Sequence, residues 1–285
     1  MNIVKTVQAV RDVTTVWKRA GLRVGLVPTM GYLHEGHASL IRRAVTECDK
    51  VVVSIFVNPT QFGPNEDLDS YPRDMEHDTA LCEDLGAAMI FNPEPEEMYP
   101  QGSSTFVEVQ GLNEHLCGRN RPTHFRGVCT VVNKLFTIVA PHAAYFGQKD
   151  AQQFAILSRM VRDLNMDIKM VGCPIVREED GLAKSSRNAY LSPDERQAAL
   201  VLSKALNMGK SLLEQGEAES ATVIQQMCAM IATEPLARID YVEIVDGATL
   251  SPLETVNRPV LVALAVQIGK TRLIDNFFYA PEVIQ

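Results

Sequence analysis

Two histidines three residues apart, His34 and His37, close the run Pro28-Thr29-Met30-Gly31-Tyr32-Leu33-His34-Glu35-Gly36-His37. Imidazoles at that spacing can converge on one anion if the first lies in a loop and the second on the opening turn of a helix. Gly31 and Gly36 permit a tight backbone and close approach to a ligand, and a helix beginning near His37 points its N–H groups at whatever sits there. The pattern alone also suits two surface histidines at a helix start, or a zinc pair with Glu35, although zinc needs a third placed ligand. Neither of the common nucleotide loops occurs. There is no Gly-x-Gly-x-x-Gly, and Gly269-Lys270-Thr271 has Leu264 where a Walker A sequence needs its first glycine, so it reads as a hairpin turn.

Two later clusters add local positive charge: Gly147-Gln148-Lys149-Asp150, and Lys184-Ser185-Ser186-Arg187-Asn188 after Asp180-Gly181. Lysine offers a point charge, arginine a fork of donors, and serine hydroxyls can fill remaining phosphate oxygens. Each cluster taken alone also reads as a solvated turn. Together with the histidine loop they compose a triphosphate site, in which charge developing at the α-phosphorus is stabilised by positioned donors.

These groups need elements to hold them. Residues 24–27 and 51–57 are strand-like runs without polar alternation, and a helical pattern at 37–47 lies between them. Strand, helix, strand without alternation is a βαβ unit covered on both faces, which opens a doubly wound parallel sheet. The histidine loop then lies where the first strand turns into its helix, the place where such sheets bind ligands, and this favours the phosphate reading. Further strands are expected at 88–91, 144–146 and 167–171, with helices at 74–85, 125–139 and 151–164. Beyond about residue 175 the pattern changes. Helices at 193–214, capped by Ser192 with Pro193 at the first helical position, and at 221–233 precede strands at 239–245, 260–266 and 272–278. Short turns between those strands favour an antiparallel sheet. The expected fold is α/β: a Rossmann-like doubly wound parallel sheet domain, 1–175, followed by a smaller, lid-like α+β domain, 176–285, with a short antiparallel sheet.

A formal net charge of -8, spread along the chain, argues against a nucleic-acid surface. Residues 1–21 read as an amphipathic helix, not a signal peptide, since Lys5, Arg11, Asp12, Lys18 and Arg19 interrupt the apolar residues. The longest apolar run, 260–266, falls far short of the roughly 18 residues that a membrane span requires. A cytoplasmic protein is expected. Cysteines at 48, 82, 117, 129, 173 and 228 form no Cys-x-x-Cys pair and read as free, mostly buried thiols.

The His-x-Gly-His type loop, His34-Glu35-Gly36-His37, with a Ser-Ser-Arg loop as a second signature, resembles the nucleotidyltransferase superfamily that includes class I aminoacyl-tRNA synthetases. Longer strings are more specific. Pro28 to Gly31, Phe56-Val57-Asn58-Pro59-Thr60-Gln61-Phe62, Tyr71-Pro72-Arg73, His124 to Val128, Phe146 to Asp150 with Gln152-Gln153, Asp180 to Ala183, Ser185 to Asn188 and Arg272-Leu273-Ile274-Asp275-Asn276 resemble, in order and over nearly the whole chain, the pantothenate synthetases. That resemblance implies ATP contacts from Met30, Gly31, Tyr32, Leu33, His34, Glu35, Gly36 and His37. It implies further ATP contacts from Gly147, Gln148, Lys149 and Asp150, from Val176, and from Lys184, Ser185, Ser186 and Arg187, with His37 as proton donor. Gln61 and Gln153 correspond to the pantoate ligands, Gln61 also lying near β-alanine. Two departures stand out: Lys184 replaces an aliphatic residue and Gln148 a glutamate, and each makes the local charge more positive.

The resemblance also implies a magnesium ion with ATP, a homodimer, and two chemical steps catalysed by His34, His37, Lys149, Ser185 and Arg187. Pantoate becomes an acyl adenylate, and β-alanine then displaces AMP. Asp78 is a candidate magnesium contact, although His77 stands where the family can have a second aspartate. Two rival functions remain at this level: a nucleotidyltransferase activating another acid, which would lack the paired roles of Gln61 and Gln153, and a nucleotide-binding regulator without turnover.

Overall fold

The computed structural model describes residues 1–64 and 66–281. The chain divides into two compact units, one of residues 1–110, 121–148 and 153–175, the other of 111–120, 149–152 and 176–285. Two short pieces of the stretch read from sequence as the first domain therefore go with the second unit.

The first unit is built on six parallel strands: β1 (Asn2–Val4), β2 (Val24–Thr29), β3 (Lys50–Ile55), β4 (Met89–Phe91), β5 (Ala143–Gly147) and β6 (Lys169–Cys173). Their order across the sheet is β1-β4-β3-β2-β5-β6. Val24, Leu26 and Val27 on β2 and Val51 to Val53 on β3 are all buried, which explains why these strands lack polar alternation. In register, β2 pairs with β3 on one side (Leu26↔Val52) and with β5 on the other (Leu26↔Ala144). The chain thus winds outward from β2 in both directions, and the reversal between β2 and β5 is the switch point at whose carboxyl ends ligands bind in such sheets.

Helices α1 (Val7–Arg19), α2 (Glu35–Glu47), α3 (Met75–Asp84) and the short α4 (Pro95–Met98) precede the one-turn α5 (Cys117–Asn120). After it come α6 (His124–Val139) and α7 (Ala151–Asp163). Ile41 and Ala44 of α2 pack with Val27, Val53, Ile90 and Tyr145 in one core, and burial of each valine or isoleucine side chain there contributes about 1.5–3 kcal/mol. The amino-terminal expectation is corrected. Residues 2–4 form β1, parallel to β4 with Ile3 opposite Ile90, and the amphipathic helix begins only after Thr6, whose hydroxyl accepts from the Ala9 N–H. β3 also ends at Ile55 and not at 57, because Asn58 and Pro59 open a 3-10 turn over Pro59–Gln61.

In the second unit α8 (Pro193–Ala198), α9 (Leu200–Glu214) and α10 (Ser220–Ile231) precede β7 (Ala237–Asp246), β8 (Val260–Ile268) and β9 (Thr271–Tyr279). The three strands are antiparallel in the order β7-β8-β9. Leu202, Leu206, Val223 and Met227 pack on Ile244, Val262 and Leu264. Ser192 caps α8 as expected, with Glu195 returning the bond to make the cap reciprocal, but the expected single helix over 193–214 is two, joined at Ala199. Gly269 and Lys270 make the β8–β9 hairpin turn, with φ +56° at Gly269, whereas β7 and β8 are joined by the longer segment 247–259 and not by a short turn. No helix among the described residues is long and apolar enough to cross a membrane.

Candidate active site

The loop after β2 is shaped from below by α3. Gly31 turns the chain with φ +86°, and Tyr32 follows at φ +51°. The buried Asp78 carboxylate then takes the next two amides, Oδ2 accepting from the Tyr32 N–H at 2.8 Å and Oδ1 from the Leu33 N–H at 2.6 Å. His77 donates from Nε2 to the Leu33 carbonyl at 3.2 Å. A Cβ at Gly31 would lie 3.0 Å from Asp78 Oδ2 and 3.0 Å from Ile55, so glycine is required there by both space and backbone angle. Asp78, the candidate metal contact, is thus turned to the loop backbone.

Helix α2 starts at Glu35, two residues before the expected His37, and the two histidines are its cap. His34 is the N-cap: its Nδ1 accepts from the Gly36 N–H at 3.0 Å, while His37, at the third helical position, accepts from the His34 N–H through its own Nδ1 at 3.3 Å. This is a capping box made with imidazoles. It has a chemical consequence. A ring whose Nδ1 accepts carries its proton on Nε2, so both rings are held as Nε2–H donors, with centroids 4.2 Å apart. Gly36 makes room for this arrangement, since a Cβ there would come within 2.7 Å of the His34 ring. Two N–H donors at a helix N-terminus, at the end of the central strand, suit an anion.

Gln61 is positioned with equal care. The buried Asn58 donates from Nδ2 to Gln61 Oε1 at 3.1 Å and to the Gly127 carbonyl at 3.2 Å. Its Oδ1 accepts from the Thr60 hydroxyl and from the Tyr99 hydroxyl, at 3.0 and 2.8 Å. With Oε1 so engaged, Gln61 Nε2 points to Met30 Sδ at 3.0 Å, which joins the Gln61 turn to the loop after β2. The Gln61 main-chain carbonyl accepts from His124 Nδ1 at 2.8 Å and from Arg121, itself paired with Glu66. Asn58, Asp78 and Gly127 are the residues that motif reading did not assign as positioning groups. The Asn58-Pro59 pair, a turn opener, was the one local signal. Gln148 follows β5 in the 3-10 turn 148–150, and Gln153 lies on the first turn of α7, partly exposed.

In the second unit, Lys149 pairs with Asp150 at 3.3 Å. The main chain forms a small hairpin between Val176, whose carbonyl accepts from the Lys184 N–H at 3.0 Å, and Lys184, with Gly181 at φ +94° in its turn. Lys184 Nζ lies 3.3 Å from Glu178 Oε2 across that hairpin, so its charge already has a partner. Ser185 caps the 3-10 turn Ser186–Tyr190, its hydroxyl accepting from the Arg187 N–H at 3.3 Å. Ser186 is buried.

Among the described residues no group of three or more His, Cys, Asp or Glu is placed to hold a metal ion. With both Asp78 oxygens committed to backbone amides, the residues present fit magnesium only as an ion carried on nucleotide phosphates, which needs few protein ligands.

Asp78 also gives a pH test. Burial pushes its carboxyl above the ordinary aspartate range, against the pull of the Leu33 and Tyr32 N–H groups. With the folded pKa above the unfolded one, its contribution is complete below the unfolded value and is lost as pH rises through the folded value. The melting temperature of wild type relative to Asp78→Asn is therefore expected to fall as pH rises above the ordinary aspartate value of about 4 toward neutrality. A difference that stayed flat or rose over that range would contradict burial as the dominant influence on this carboxyl.

Comparison with known proteins decides the family. The model of the pantoate-beta-alanine ligase family matches residues 2–278. The chain belongs to that family. A pantothenate synthetase of Ruminiclostridium cellulolyticum is 60% identical over 282 residues, covering 99% of this chain and all of that protein. One of Enterococcus faecalis is 62% identical over 279 residues, covering 98% of this chain and 99% of its own. Among solved structures, pantothenate synthetase of Thermus thermophilus superposes with a TM-score of 0.91 at 46% identity, over 97% of this chain and 99% of that one. A pantoate-beta-alanine ligase of Francisella tularensis, complexed with beta-gamma ATP and beta-alanine, gives 0.79 at 34% identity, over 97% of each chain. This pantoate-beta-alanine ligase family member is thus an enzyme, a ligase, with the fold of those synthetases, and the reading as a regulator without turnover is set aside.

Proposed function

We propose that this ligase condenses (R)-pantoate with β-alanine to pantothenate, using ATP, through a pantoyl adenylate, with release of AMP and pyrophosphate. The observation that carries the reading is the imidazole capping box, which fixes His34 and His37 as Nε2–H donors at the N-terminus of α2, the helix that follows central strand β2. The pantoate carboxylate is ionised at neutral pH and needs no base to attack the α-phosphorus. Pyrophosphate leaves, the neutral amine of β-alanine attacks the acyl carbon, and AMP departs with the former carboxylate oxygen. His34, His37, Lys149, Ser185 and Arg187 stabilise the charge that develops in these steps.

The reading assigns the nucleotide to Met30 through His37, Gly147 through Asp150, Val176 and Lys184 through Arg187, with Lys184 the weakest member because Glu178 competes for its charge. Magnesium would reach the site on the ATP phosphates, whose charge it neutralises. Gln61 and Gln153 hold pantoate, since an amide can donate to a carboxylate and accept from a hydroxyl. The six cysteines, all free, suit a reducing compartment, and the reading places the enzyme in the cytoplasm as a homodimer.

Labelled pyrophosphate is expected to exchange into ATP with pantoate present and β-alanine absent. Acids lacking the pantoate hydroxyls should support little exchange, because buried partners of those hydroxyls would be left unpaired. Exchange that required β-alanine, or that ran equally well with other small acids, would overturn this order of events.

A further inference from the structure

Asp275 and Asn276 belong to a motif that has no part in the steps described so far. They are consecutive on β9, so their side chains leave opposite faces of the small sheet. Asp275 is 2% exposed and lies opposite Leu264 in a buried register. A carboxylate there is costly to bury unless it is paired, and a hydrophobic residue would serve the sheet as well. It is paired by a fork: Arg177 donates to Oδ2 at 2.6 Å and to Oδ1 at 2.9 Å, and also to the Gly181 carbonyl at 3.0 Å. Arg177 is the second residue of the hairpin that begins at Val176 and delivers Lys184 to the Ser185-capped turn. On the other face Asn276, 4% exposed, donates from Nδ2 to the main-chain carbonyl of Lys149 at 2.8 Å. One dipeptide therefore holds the main chain of Lys149 and the root of the Ser185–Arg187 turn against the same strand.

We propose that Asp275 and Asn276 are positioning residues of the ligase, Asn276 setting Lys149 and Asp275, through Arg177, setting the Ser185–Arg187 turn. The inference rests on the proposed nucleotide role of Lys149 and Arg187. Neither Asp275 nor Asn276 is assigned a contact with substrate. Their effect is to remove freedom from the groups that have one, and a misplacement of about 1 Å in such groups can cost about 100-fold in rate.

The test is a double-mutant cycle read by pantoate-dependent ATP–pyrophosphate exchange at saturating substrates, with thermal melts alongside. Asn276→Ala is expected to lower the exchange rate about 10- to 100-fold in the wild-type background and by less than about 2-fold when Lys149 is already Ala. Damage to the fold alone would lower the rate by the same factor in both backgrounds. If Asn276→Ala fails to fold, Asn276→Asp keeps the shape, replaces the N–H donor by a carboxylate, and carries the same cycle. Asp275→Asn is paired in the same way with Arg187→Ala, and coupled losses are expected there too. Losses that multiply in both cycles, or wild-type exchange in the Asn276 and Asp275 variants, would overturn the inference while leaving the proposed function intact. Full exchange in Lys149→Ala would instead overturn the assignment of Lys149 on which it rests.

Discussion

His37→Ala is expected to slow pantoate-dependent ATP–pyrophosphate exchange by at least about 100-fold, the size usual for losing a donor to charge that develops in the transition state. The capping box adds a second, separable effect. His37 Nδ1 accepts the N–H of the N-cap residue, so the same substitution should also cost about 1 kcal/mol of stability. Asparagine separates the two roles, because its Oδ1 can replace Nδ1 at the cap while nothing replaces Nε2–H. His37→Asn should recover most of the melting temperature and little of the rate. Recovery of the rate with the melt would remove the Nε2–H donor from the mechanism.

Gly127→Ala is expected to be as severe by another route. Helix α6 meets the Pro59–Gln61 turn at Gly127, where an added Cβ would stand 2.4 Å from the Thr60 carbonyl oxygen and 2.7 Å from the Gln61 nitrogen. Both are main-chain atoms and cannot swing aside, so the turn itself must shift. We expect about 3 kcal/mol of destabilisation, an upper value for overpacking. In the protein that folds, Gln61 should be displaced and pantoate-dependent exchange should fall about 100-fold, with the KM for pantoate rising more than that for ATP. A variant with the wild-type melt and an unchanged pantoate KM would show that the turn at Gln61 does not need this contact.

How far these features can be read without coordinates depends on how local their causes are. Strands β2 and β3 are legible because burial on both faces leaves unbroken apolar runs, and the loop between β2 and α2 is legible from two glycines and two histidines. Strand β1 escapes because three residues carry no period, and its pairing with β4 joins residues nearly ninety apart. The allocation of 111–120 and 149–152 to the second unit also has a non-local cause. Gln152 donates to the carbonyls of Leu112 and His115 and accepts from the Cys117 N–H, and Asn276 holds Lys149. In the site, the types of His34 and His37 point to an anion, but which nitrogen faces the backbone follows only from the cap. Asp78 and Gly127 act across 45 to 69 residues of sequence with nothing in their own neighbourhoods to announce it, and Asn58 is announced only as a turn opener before Pro59. Lys184 adds a contact that the motif reading did not include, since a lysine in a phosphate-like cluster pairs with Glu178 six residues before it.

The central claim, that pantoate is activated at the α-phosphorus, is tested most directly by following its carboxylate oxygen. With pantoate carrying 18O in the carboxylate and β-alanine present, attack on the α-phosphorus followed by amine attack at the acyl carbon leaves one labelled oxygen on AMP. The expected result is AMP carrying one 18O atom for each pantothenate formed, with unlabelled pyrophosphate. Label in pyrophosphate or orthophosphate, or AMP without label, would contradict activation at the α-phosphorus.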